Sequence, residues 1–383
     1  MQYPEQGPPG SAQSKPHVLL IVFIHGFKGD DTTFGNFPSR LQHILSETLQ
    51  GTVIETVVFP VYETKGDLNK AVDSFADWLT TLTVQKEAAH GGAGRVNIVL
   101  CGHSMGGLLA ADSVYAFIHS RPDTDAPLWP NVVACLAFDT PYLGLHPHVF
   151  KNSATKAVEY VHGVQKTASG LFGAFSQPTA KSPAPAPSVS SPGGWGRWGQ
   201  AAFAVGGALV AGAAVGTAYY HRPNIESGYS ALTEHMQYVG ALWDKDALAN
   251  RVRNLVEGET THGILFRMFY ILLPPTPPVH PQPRTFCTLP ETSSRAFQHC
   301  VPAPNTLAED EVRAHVSMFD PGKNDGYYQL GLEVAALIRR SIEDKDAALQ
   351  STVVGSDTEN LIDWKKGSSP ADVSTDETRD LLL

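Results

Sequence analysis

Residues 95–115 read RVNIVLCGHSMGGLLAADSVY. The apolar, β-branched run Val96, Ile98, Val99 and Leu100 predicts a buried strand, and the Ala/Leu-rich stretch after Gly107 predicts a helix. Between them lies Gly102-His103-Ser104-Met105-Gly106, a G-x-S-x-G sequence. Glycines on both sides of a serine remove the Cβ atoms that would clash in so tight a strand-to-helix bend, and the bend leaves the serine hydroxyl exposed above the sheet edge. A strand before the motif and a helix directly after it are the context the motif needs. Ser104 is therefore the candidate nucleophile.

Upstream of this stretch the chain alternates. His17 to Ile24 (HVLLIVFI) is a continuous apolar run of the kind covered on both faces in a parallel sheet. Phe37 to Leu49 and Leu68 to Val84 carry apolar residues at helical spacing, with Val53 to Val61 as a strand between them. After the Ser104 helix, Val132 to Phe138 predicts another buried strand. Such a rhythm predicts an α/β fold, a mostly parallel sheet flanked by helices. Gly91-Gly92-Ala93-Gly94 precedes a strand and carries no Gly-Lys-Ser/Thr, so it reads as a loop and not as a phosphate cradle.

The chain has 383 residues, 42% of them hydrophobic, enough for a full α/β core and an insertion of domain size. A formal net charge of -10, with no basic runs, argues against nucleic acid as a partner. Cys101, Cys135, Cys287 and Cys300 are widely spaced, which suits reduced thiols in an intracellular compartment. No C-x-x-C pair accompanies His299-Cys300, so no metal site is expected. The first residues hold no charged n-region followed by an apolar h-region, so the reading is that the chain is not secreted.

A serine nucleophile needs a base and an acid. Val132 to Phe138 ends in Asp139-Thr140-Pro141-Tyr142-Leu143-Gly144, placing a carboxylate at the carboxyl edge of the sheet, where such folds build their sites. Asp139 is the first choice for the acid, and Asp310, in the Asp310-Glu311 pair, is the alternative. His315, in an expected loop ahead of the closing helix at Gln329 to Ile342, is the candidate base. The order serine, aspartate, histidine differs from that of the two common serine-protease folds. His25 and His103 read as parts of turns, and Asp325, in an Asn-Asp-Gly sequence, also reads as a turn residue.

The motifs VFIHGF (Val22 to Phe27), GHSMGG (Gly102 to Gly107), FDTPYLG (Phe138 to Gly144) and AHVSMFDP (Ala314 to Pro321) resemble those of the lipase-like serine-esterase branch of the α/β-hydrolase superfamily, in particular eukaryotic members with a large insertion. FDTPYLG is similar to the segment in which pancreatic-type lipases carry their acid, and also to the GTPHLG of other lipase-like members, where glycine replaces the aspartate. The resemblance covers about residues 17–141 and 283–342. It implies an α/β-hydrolase fold with a helical cap and hydrolysis of an ester in a lipid-like substrate, with the backbone amides of Phe27 and Met105 as oxyanion donors. No metal or organic cofactor is required. A thioesterase or lipid acyltransferase would use the same site. From a different class stands a catalytically silent, membrane-associated interaction protein.

The expected division is a disordered N-terminus at 1–16, a hydrolase core at 17–141 and 283–349, an insertion or cap at 142–282, and a disordered acidic tail at 350–383. Within the insertion, 175–194 is a Pro/Ser/Ala linker and 229–256 returns to helical spacing. Gly199 to Tyr220 has about the length that spans a bilayer, with Trp195 and Trp198 at one end and Tyr219 and Tyr220 at the other. Its five strongly apolar residues favour insertion by only about 1.5 to 3 kcal/mol. Two readings stand for it: membrane contact, or a helix packed over the mouth of the hydrolase. Gly263 to Leu273 (GILFRMFYILL) suits a mouth-lining segment or core, and Arg284 to Leu289 (RTFCTL) is the expected strand that resumes the sheet.

Overall fold

The computed structural model describes residues 17–27, 29–62, 67–149, 242, 244–345 and 347. Its centre is a sheet of six strands: β1 (His17–Ile24), β2 (Thr52–Val58), β3 (Val96–His103), β4 (Val132–Phe138), β5 (Leu265–Leu272) and β6 (Cys300–Pro304). They pair in the order β2-β1-β3-β4-β5-β6, every pair parallel. All eight residues of β3 and all seven of β4 are buried, as their continuous apolar runs require of strands covered on both sides.

Side chains alternate between two cores. Val18, Leu20, Val22 and Ile24 of β1 face α2 (Leu68–His90), α3 (Met105–His119) and α4 (Lys245–His262). Leu19, Ile21 and Phe23 face α1 (Phe37–Thr48), the short α5 (Glu311–Val316) and the closing helix α6 at 327–345. Fully apolar strands thus bury both faces under helices, giving an α/β sandwich of three layers. Local chemistry sets the helix ends: the Asp67 carboxylate caps α2 by accepting from the Asn69 amide, and Gly91, at φ 108°, ends it in the left-handed region. α4 is tied to α3 by Arg251, which forks onto both carboxylate oxygens of Asp112 at 2.6 and 2.8 Å.

The chain leaves β1 in one direction to β2 and in the other to β3. In open parallel sheets a crevice opens beyond the carboxyl ends of two strands at such a reversal. The loop after β1 and the bend after β3 meet there.

Three expectations need correction. Of the two readings of Gly263 to Leu273, the structure has the core and not the mouth lining, and the segment is not part of an insertion, because β5 pairs with β4 along Ala134 to Phe138. The sheet resumes at Leu265, before the boundary expected at 283. Arg284 to Leu289 is not a sheet strand: it makes only isolated antiparallel bridges, Arg284 to Leu273 and Cys287 to Leu145. The sixth strand is CVPAP, which periodicity could not reveal. Two prolines withhold ladder donors, and that restricts such a segment to a sheet edge, where β6 sits.

Smaller shifts follow the same pattern. β2 stops at Val58, and α2 runs on past Val84 to His90. The segments 1–16, 175–194, 199–220 and 350–383, and half of 229–256 (229–241 and 243), lie outside the described residues. Among the described residues, no helix is long and apolar enough to cross a membrane.

Candidate active site

Ser104 sits at the junction of β3 and α3 with φ 55° and ψ -128°, a conformation that costs a non-glycine residue about 1–3 kcal/mol and persists only where the surroundings enforce it. Its amide donates to the Phe138 carbonyl at 2.9 Å, tying the bend to the end of β4. A Cβ on Gly106 would overlap the Ile24 carbonyl, and one on Gly107 would overlap the Thr140 side chain. The bend is therefore packed so closely against β1 and the FDTPYLG segment that only glycine fits. Tyr142, buried beneath it, donates its hydroxyl to the Gly107 carbonyl at 2.9 Å.

From the other side comes the loop after β1. A Cβ on Gly26 would lie 2.6 Å from the Ser104 Cβ and 3.1 Å from the Met105 nitrogen. The missing side chain lets the loop backbone lie directly against the elbow, which places Phe27 beside the start of α3. His25 props this loop: its Nδ1 pairs with the Gly26 carbonyl at 3.1 Å, its ring stacks on Tyr62 with centroids 4.7 Å apart, and its own carbonyl accepts from the Tyr62 hydroxyl at 2.8 Å. Burial holds the His25 imidazole below its ordinary range, which favours its neutral form.

His315 is delivered by α5, and not by the loop expected from the sequence. Its Nε2 lies 3.0 Å from Ser104 Oγ and its Nδ1 2.6 Å from Asp139 Oδ2. Nδ1–H donating to the carboxylate leaves the Nε2 lone pair facing the hydroxyl, the tautomer a general base needs. Asp139 is fully buried at the end of β4, with φ 48° turning its side chain towards His315. Its second oxygen, Oδ1, accepts from the Ile271 amide at 3.1 Å and from the Cys287 thiol at 3.5 Å. Burial, with the Asp139 charge adding to it, pushes the Cys287 thiol well up, so it keeps its proton and donates.

Of the two carboxylates considered from sequence, only Asp139 reaches the ring. Asp310 caps α5, accepting from the Arg313 amide at 2.8 Å. Glu311, next to it, faces Arg284 at 3.4 Å in a buried pair. Asp325 is occupied by Thr306, accepting from its amide at 2.8 Å and from its hydroxyl at 2.5 Å.

Residues 13–173 match the family described as "Putative serine esterase (DUF676)". That match covers less than half of the chain. No curated protein matches the chain. Among solved structures, the chain is similar to phospholipase PlaB from Legionella pneumophila, at 13% identity and a TM-score of 0.24 over 33% of this chain and 26% of that one. It thus spans about a quarter of PlaB. A carboxylesterase from the thaumarchaeon Nitrososphaera gargenis is 12% identical over 87% of this chain and 93% of that one, with a TM-score of 0.37. The peroxisomal α/β-hydrolase Lpx1 from Saccharomyces cerevisiae is 13% identical over 90% and 87%, with a TM-score of 0.36. Likenesses this distant add nothing to the geometry above.

Some of the surroundings of the site carried no sequence signal. Phe286 and Cys287, which touch His315 and Asp139, lie in RTFCTL, a segment that reads as a strand. Tyr142 lies inside a quoted motif, but its hydroxyl bond to Gly107 depends on how α3 packs. His103, read as part of a turn, stacks on His315.

Proposed function

We propose that the chain is a serine esterase that cleaves a carboxylic ester of a lipid-like substrate through Ser104, His315 and Asp139. One observation carries the reading: the unbroken run of contacts from Ser104 Oγ to His315 Nε2 at 3.0 Å and from His315 Nδ1 to Asp139 at 2.6 Å. In the proposed reaction Ser104 Oγ attacks the ester carbonyl while Nε2 takes its proton, general-base catalysis of the kind that contributes about 100- to 10,000-fold. The amides of Phe27 and Met105 hold the oxyanion, each donor of this type contributing about 2.7–4 kcal/mol. His315 then returns the proton to the leaving alcohol, and the acyl group stays on Ser104. A water deprotonated by His315 attacks the acyl-enzyme, and the carboxylic acid leaves.

The lipase-like motifs around Gly26, Ser104 and Asp139 support a lipid-like ester as substrate. Cys101, Cys135, Cys287 and Cys300 are all free, which supports the proposed intracellular location. The test is a fluorophosphonate probe on the full chain, combined with p-nitrophenyl esters of increasing acyl length. Wild type is expected to label and to turn over ester, and Ser104→Ala to do neither. A folded wild-type protein that neither labels nor hydrolyses any of the esters refutes the reading.

A further inference from the structure

The His315 imidazole is held between two other rings. Phe286 stacks on it with centroids 3.8 Å apart and planes 15° from parallel, and His103 stacks with centroids 4.6 Å apart at 27°. Two rings cannot both stack on one face of an imidazole at these separations, so they cover opposite faces. They come from different places in the chain. His103 ends β3, one residue before Ser104. Phe286 lies on the strap that follows β5, pinned by the bridges of Arg284 to Leu273 and Cys287 to Leu145 and by the His146 amide, which donates to the Phe286 carbonyl at 2.8 Å.

In-plane hydrogen bonds to Ser104 and Asp139 leave the tilt of the ring free, and histidine's outer torsion has broad wells. Stacking removes that freedom. His103 adds a second restraint, donating from Nε2 to the His315 carbonyl at 3.2 Å. Burial, reinforced by the charge of His315, keeps His103 well below its ordinary range, so it presents a neutral ring to its neighbour.

We infer that His103 and Phe286 are positioning residues that clamp the His315 imidazole from its two faces, keeping Nε2 on Ser104 and Nδ1 on Asp139. The electron-rich face of Phe286 additionally favours the imidazolium that forms as Ser104 attacks. This rests on His315 being the base of the proposed esterase.

The test uses the full chain with Phe286→Leu, Phe286→Tyr, His103→Gln, which keeps a donor without the ring, and His103→Phe, which keeps a ring without the donor. Phe286→Leu is expected to lower kcat for a p-nitrophenyl ester by roughly 3- to 30-fold with KM within about twofold. Phe286→Tyr restores kcat. Each His103 variant is expected to lose part of the rate. Should Phe286→Leu fail to fold, Phe286→Met keeps the volume without the π face. Phe286→Leu and His103→Gln that are both folded and both within about twofold of wild-type kcat overturn the inference, as does a loss carried entirely by KM.

A second readout is independent of turnover. The low-field proton resonance of the His315 Nδ1–H is expected to be sharp in wild type and broadened in Phe286→Leu. If wild type fails to label with fluorophosphonate, the esterase reading falls while this resonance still decides the clamp. A line unchanged by Phe286→Leu overturns it.

Discussion

Asp139→Asn isolates the carboxylate without disturbing its position. Residue 139 has φ 48°, a region that asparagine, like aspartate, enters more readily than other residues with a side chain, so the backbone is expected to keep its path. The surroundings then choose the amide orientation. Oδ1 of Asp139 faces two donors, the Ile271 amide at 3.1 Å and the Cys287 thiol at 3.5 Å, so the amide oxygen of asparagine takes that side. The reverse orientation would set NH2 against N–H in a fully buried site and leave donors unsatisfied at about 1–3 kcal/mol each.

The NH2 group therefore points at His315 Nδ1, which must now accept. The ring proton moves to Nε2, facing Ser104, and the imidazole can no longer take the hydroxyl proton. A wrong tautomer of this kind lowers kcat by about 10,000-fold in a triad of this type, about 5.4 kcal/mol at 1.36 kcal/mol per decade. Initial rates on a p-nitrophenyl ester, with thermal melts to show that the variant is folded, measure it. Asp310→Asn is the contrast: it weakens the cap of α5 and the ion pair of Asp310 with Arg313 and leaves the carboxylate bonded to His315 in place, with an expected stability loss of up to about 1 kcal/mol and kcat within about threefold. A folded Asp139→Asn enzyme that keeps more than a tenth of the wild-type rate would refute the reasoning.

Gly106→Ala is expected to destabilise the fold by about 3 kcal/mol or more, because the new Cβ meets the Ile24 main chain and not a side chain that could swing away; a melting temperature within about 2 °C of wild type contradicts this packing. The buried thiols predict an alkaline loss of stability. Burial raises Cys101 and Cys287 well above the ordinary thiol range and Cys135 to about 12, so the folded chain holds thiol protons that the unfolded chain releases. Their stabilising contribution is complete below the unfolded value of roughly 8.5–9 and is lost as pH rises towards the folded values, by up to about 1.4 kcal/mol per thiol per pH unit. Urea midpoints between pH 8 and 10.5 check this, and a flat profile counts against it. Ellman's reagent at pH 7.5 is expected to spare these three thiols in the native chain and to react with all four in denaturant, and rapid native reaction of Cys287 would contradict its place behind Asp139.

The central strands and the elbow were legible from local pattern alone. Fully buried parallel strands need unbroken apolar runs, and a serine forced to positive φ between a strand and a helix needs glycines two residues away, so HVLLIVFI, RVNIVLCGHSMGG and VVACLAF carry their own assignment. The edge strand CVPAP carries none, since its pairing depends on β5 being present beside it. Nor could sequence choose between Asp139 and Asp310. Both lie in plausible order before the base, and the choice turns on which carboxylate the packing of β4 against α5 brings within 2.6 Å of a ring nitrogen. The rings around His315 are the same case. Phe286 reaches it only because the strap folds back onto Leu273 and Leu145, a long-range contact with no periodic signature. Local order is written in spacing, because it depends on residues a few positions apart; the alignment of serine, imidazole and carboxylate brings His315 to residues more than a hundred positions away, and only the assembled sheet and its helices bring them together.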